Sequence, residues 1–123
     1  MINGLKKFDV EQILDGSTFI GWINLELDIK IRKKIRLINV RCHNTNVEQG
    51  LKSKEFVQDL LEGKNVYCNI FKDRFHKYST VLAVVYIQSG ERDFVNLNDL
   101  LVEKNLGIKT VKSDGSDSNN ERV

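Results

Sequence analysis

Lys30-Ile-Arg-Lys-Lys-Ile-Arg-Leu-Ile-Asn-Val-Arg-Cys-His-Asn44 begins with an alternation that only an extended chain puts to use. Successive side chains of a strand point to opposite faces, so Ile29, Ile31, Ile35 and Leu37 are predicted on one side and Lys30, Arg32, Lys34 and Arg36 on the other. Between Ile29 and Arg41 there are six cations, these four with Lys33 and Arg41, and no acid. The charge is therefore local, and the formal net charge of +2 understates it. Two readings of the basic face stand side by side. It is a surface that meets an anionic partner, or a solvated strand whose lysines discourage edge-to-edge pairing.

Working outward toward the N-terminus, residues 6–14 read as a first strand, and Asp15-Gly16 is a turn signal leading into a second run over residues 18–29. In that run Leu25, Leu27 and Ile29 alternate with Asn24, Glu26 and Asp28, which predicts a hairpin with one apolar face. The third strand runs over residues 30–40. Beyond it the period changes. Ser53, Phe56, Val57, Leu60 and Leu61 recur at helical spacing within residues 48–63, and Gly63 stands where a helix commonly ends in left-handed backbone. Residues 65–71 and 80–87 read as two further strands, the first placing Val66, Cys68 and Ile70 together. A turn at residues 88–92 precedes a second helix over residues 97–105, with Leu97, Leu100 and Leu101 as its buried stripe, Asn96 or Asn98 as cap and Gly107 as stop. Residues 113–123 contain one apolar residue and read as a disordered, mildly acidic tail, leaving residues 1–112 as the domain.

A chain of 123 residues, 41% hydrophobic and 29% charged, fits one globular domain with a single core. Cys42 and Cys68 lack CxxC spacing, so free thiols are expected, with Cys68 a small core residue. No stretch has the apolar length of a signal peptide or a spanning helix, which predicts a soluble, intracellular protein with no membrane partner. The absence of proline and the many Asn and Lys residues point to an AT-rich genome, such as that of a virus, phage, protist or low-GC bacterium.

Taken in order, Leu14-Asp-Gly-Ser-Thr-Phe19, Ile35-Arg-Leu-Ile-Asn-Val40, Leu60-Leu-Glu-Gly-Lys-Asn-Val66, Lys77-Tyr-Ser-Thr-Val-Leu-Ala83, Val95-Asn-Leu97 and Leu101-Val, ending at Leu106-Gly107, resemble the staphylococcal nuclease (thermonuclease) family over about residues 5–110. The resemblance implies a mainly β, α+β fold: a five-stranded OB-type barrel with two helices packed on it. It also implies a site in which carboxylates hold calcium, a glutamate handles the attacking water and two arginines stabilise phosphate charge.

Position by position, that site has changed. The metal-binding aspartate of the first turn falls on Ser17, and the second metal aspartate falls on Arg41, a cation in place of a ligand. The catalytic glutamate falls on Asn44, and the second arginine on Thr80. Only the first arginine is kept, as Arg36, while Asp15 belongs to the hairpin turn. No catalytic residue, metal ligand or cofactor is therefore assigned.

These substitutions predict a catalytically inactive, nuclease-like binding module. Its expected surface comprises Lys30, Arg32, Lys34, Arg36 and Arg41, joined near the old site by Lys72, Arg74 and Lys77, with Phe75 and Tyr78 as stacking aromatics. The expected partner is nucleic acid, DNA or RNA. The alternatives are an acidic protein partner, as for a viral or phage accessory protein or inhibitor, and a residual phosphodiester hydrolase. His43 and His76 as a metal-free acid-base pair form a further alternative, set against the ordinary role of loop histidines at a surface.

Overall fold

The computed structural model describes residues 4–71 and 80–110. Strand β1 spans Leu5–Asp15, β2 Thr18–Asn24, β3 Lys30–Leu37 and β4 Val40–Arg41; helix α1 spans Glu48–Leu61. Then come β5 Val66–Phe71, β6 Thr80–Gln88, β7 Phe94–Asn96, helix α2 Leu97–Glu103 and β8 Ile108–Lys109. The order in the main sheet is β3-β2-β1-β5-β6-β7, and β3 also pairs with β6 in parallel. That last pairing closes β1, β2, β3, β5 and β6 into the predicted five-stranded barrel, with β7 extending its edge along β6. Closure removes the unpaired strand edges that invite aggregation.

The alternation read from the sequence accounts for the core. Phe8, Phe19, Ile23, Ile35, Leu37, Cys68, Val85 and Ile87 point into the barrel and are essentially fully buried. Val57 and Leu61 of α1, and Leu97 and Leu101 of α2, cap it. Both cysteines are buried and free. Among the described residues, no helix is long and apolar enough to cross a membrane.

Three expectations are corrected. Residues 18–29 do not form one strand: β2 ends at Asn24, and Leu27 and Asp28 both take left-handed backbone, φ 61°. The chain reverses there in a tight turn, with Ile29 N–H donating to Glu26 O (3.2 Å) and Leu25 N–H to Ile29 O (2.6 Å). Positive φ at both central residues is the twist-matched geometry for joining two strands. Leu27 is accordingly 89% exposed and Ile29 52%, and only Leu25 of the three expected apolar residues packs on the core.

The third run also breaks, at Ile38-Asn39, where Asn39 has φ 64°; its last residues form β4, which pairs with β8. At the end of α2 the left-handed residue is Asn105, φ 61°, and not Gly107. Gly107 has a different task, because a Cβ there would lie 2.8 Å from Val40 Cγ1.

The two asparagines at the start of α2 divide the work. Asn96 is the cap, its Oδ1 accepting from Asp99 N–H at 3.0 Å. Asn98 is buried and staples three segments: its Oδ1 accepts from Val85 N–H (3.0 Å), and its Nδ2 donates to Ile38 O (2.9 Å) and Ala83 O (3.3 Å). Buried amide groups require such partners, which fixes α2 against β6 and the β3–β4 turn.

Candidate functional site

The β1–β2 turn, the end of β3, β4 and the approach to α1 enclose a pocket of about 250 Å³ lined by Asp15, Ser17, Thr18, Arg36, Val40, Arg41, Cys42 and Asn44. Each polar side chain is placed for a local reason. Asp15 Oδ1 accepts from Ser17 N–H (2.8 Å) and Ser17 Oγ–H (3.2 Å), an Asx-type turn that closes the first hairpin. Ser17 Oγ in turn accepts from Cys42 N–H at 3.2 Å, tying the hairpin to the residue after β4. Ser17 is buried and structural.

Arg36 lies on the outward face of β3 and Arg41 on that of β4, both exposed at the pocket mouth. Asn44 accepts Asn46 N–H on its side-chain oxygen at 3.2 Å. Its backbone carbonyl is pressed against α1, where a Cβ at Gly50 would overlap it. Cys42 forms part of the floor. Burial, with the negative charge of Asp15 adding to it, pushes its thiol up to about 11, so it stays protonated and unreactive at neutral pH.

Calcium requires several anionic or carbonyl oxygens converging on one point. This pocket presents one carboxylate, Asp15, with one oxygen already taken up by Ser17, and two guanidinium groups. Among the described residues, no three His, Cys, Asp or Glu side chains come together. The donor set does not fit a hard dication; it fits an anion.

Ser17, Arg36, Arg41 and Asn44, four of the positions that the resemblance singled out, line this one pocket. Thr80 begins β6 opposite Lys34 and does not line the pocket. Lys72, Arg74, Phe75, His76, Lys77 and Tyr78 lie outside the described residues, as does the tail at 113–123.

The basic face of β3 needs correction. Lys30, Arg32, Lys34 and Arg36 do share one exposed side, but it is not uniformly cationic. Arg32 Nη2 sits 2.7 Å from Glu11 Oε2 and Arg32 Nε donates to Glu11 Oε1 at 3.0 Å, a forked pair. Lys30 lies 3.9 Å from Asp9, which also holds Lys7 at 3.1 Å.

These acids come from β1, one strand beyond β2, where an irregularity in register between Val10 and Gln12 accompanies Glu11. Hydrogen bonds from Asn24 and Lys7 keep the Asp9 carboxyl below its ordinary range, and the bond to Arg32 does the same for Glu11. Among the described residues, Lys34, Arg36 and Arg41 form no ion pair. Reading along β3 could not find Glu11, because the pair spans 21 positions and depends on cross-strand register.

The barrel, its two capping helices and the arginine-lined pocket are joined by an independent observation: residues 34–122 match the family model described as staphylococcal nuclease homologue. The chain belongs to that family. The match takes in the second half of β3, both helices and the pocket's Arg36, Arg41 and Asn44, and it continues past the last described residue. No curated protein matches the chain. In this staphylococcal nuclease homologue the pocket is thus lined by two exposed arginines and by a single carboxylate that is already hydrogen-bonded within its own turn.

Proposed function

We propose that this nuclease homologue binds nucleic acid at the Arg36–Arg41 pocket and does not cleave it. The observation that carries the reading is the donor set: two guanidinium groups, hydroxyl and amide groups, and one carboxylate already bonded within its own turn. Guanidinium forks match phosphate oxygens, and a positively charged groove on a barrel of this type suits a phosphodiester backbone. Metal-assisted hydrolysis needs carboxylates to hold the cation and a base to prepare water. At the corresponding positions stand Ser17, Arg41 and Asn44.

The test combines fluorescence anisotropy with labelled DNA and RNA and a digestion assay with calcium. Binding is expected to weaken steeply with salt. The Arg36→Ala/Arg41→Ala double variant should flatten the salt slope on single strands by about 1.4, since each phosphate contact contributes roughly 0.7. Calcium-dependent turnover above a mock purification would overturn the non-cleaving part. Failure to bind any oligonucleotide, together with salt-sensitive binding of an acidic polypeptide, would move the reading to a protein partner.

A further inference from the structure

The outer face of β2 and β3 divides into two halves of different electrostatic character. At one end the cations are cancelled: Arg32 is forked onto Glu11 and Lys30 lies against Asp9. At the other, Lys34 and Arg36 have no carboxylate partner among the described residues, and Arg36 continues into the pocket with Arg41. In the middle of the cancelled half sits Trp22, directly opposite Arg32 in the β2–β3 register. Trp22 is 39% exposed, and its Nε1–H donates to Glu11 Oε1 at 3.2 Å. One carboxylate therefore holds both the indole and the guanidinium in place. Ile20, two residues along on the same side of β2 and opposite Lys34, extends the apolar surface toward the cations.

We propose that this face is a ledge for single-stranded nucleic acid, on which Trp22 stacks an unpaired base while Lys34 and Arg36 lead the phosphates down to the pocket. The inference rests on the nucleic-acid reading above and adds the form of the ligand and its path. Charge complementarity decides which half takes which part. Phosphate is drawn to cations without a partner; a base, being uncharged, is best met by a fixed aromatic plane whose neighbouring charges cancel. Side chains two apart on β3 are about 6.8 Å apart, so Arg32, Lys34 and Arg36 mark steps comparable to the nucleotides of an extended strand. A duplex keeps its bases stacked on each other and has none to offer Trp22.

Trp22 is the only tryptophan of the chain, so its emission reports on this site alone. The experiment titrates the full chain with labelled oligothymidine about ten nucleotides long, a length within the usual footprint of such a barrel, and reads anisotropy and tryptophan emission together. Quenching is expected to track the anisotropy. A duplex should bind more weakly and leave the emission unchanged. Trp22→Ala should weaken single-strand binding by about five- to hundred-fold, and Trp22→Phe should keep most of the affinity.

Anisotropy that reports binding while emission stays constant, or a folded Trp22→Ala chain that binds as well as the original, would overturn the ledge and leave the pocket reading intact. No anisotropy change with any oligonucleotide would overturn both. The emission arm uses the unsubstituted chain, so it stands even if Trp22→Ala does not fold.

Discussion

Cys68 is enclosed by the barrel, and burial pushes its thiol up to about 12; Cys42, beneath the pocket, is pushed up to about 11. In the unfolded chain both thiols would ionise near the ordinary value of 9.0. Above that pH the unfolded state gives up protons that the folded state keeps, so stability is fully present below about pH 9 and is lost as pH rises toward 11 or 12. The urea midpoint is expected to fall between about pH 8 and pH 10.5, and Cys68→Ala should fall less steeply over the same range. Identical slopes for the two proteins would show that other groups control alkaline unfolding. The ion pairs of Asp9 and Glu11 act in the opposite direction, being lost in acid, but they lie at the surface, where such pairs contribute little. At this scale the sequence is readable where a residue's role depends on its own chemistry. Arg36 and Arg41 could be picked out that way, as members of the run of cations, whereas Asn44 was found only through the resemblance to the nuclease family. Glu11 could not, because its role depends on Trp22 of the neighbouring strand and on Arg32, which reaches it across β2.

Helix α1 and strands β3 and β5 were legible because each is long enough to show a hydrophobic period, and their buried residues fall within the apolar faces that period defines; β6 was legible as an almost continuously apolar run. Strands β7 and β8 have three and two residues, too few to carry a period, and exist only because β6 and β4 lie beside them. The turn between β2 and β3 misled for another reason. Leu25, Leu27 and Ile29 keep the strand alternation through residues whose backbone has already reversed. Leucine in left-handed backbone costs roughly 1–2 kcal/mol, and at 89% exposure Leu27 recovers little of that through packing. Leu27→Asn, a residue that tolerates this geometry, should stabilise the protein by about 1 kcal/mol and raise Tm by several degrees in calorimetry. A lower Tm would mean that Leu27 makes a stabilising contact despite its exposure.

For the molecule as a whole, the parallel pairing of β3 with β6 closes the barrel, and the antiparallel pairing of β3 with β2, with Thr18 opposite Arg36, sets the end of β3 at the pocket. Among the described residues, the buried core runs from Phe8 to Leu101, and the partly buried residues packed on it end at Leu106. Residues 113–123, with Val123 as their one apolar side chain, have little to bury, although the family match reaches residue 122. Deleting them is expected to shift Tm by no more than a few degrees, the change that about 1 kcal/mol produces in a domain of this size. A loss of about ten degrees or more would place the tail within the folded unit. The sequence by itself determined the order of the longer elements and the two helices, because periodicity and turn chemistry are written locally along the chain, while the barrel and the placing of the arginines at a pocket were legible only through the resemblance to the nuclease family. Which cations of β3 remain without partners was decided only by the tertiary structure. Electrostatic cancellation acts over a few ångströms of space, and it was the register of β1 on β2, with its irregularity near Glu11, that set an acid beside Arg32 and, among the described residues, none beside Lys34 and Arg36.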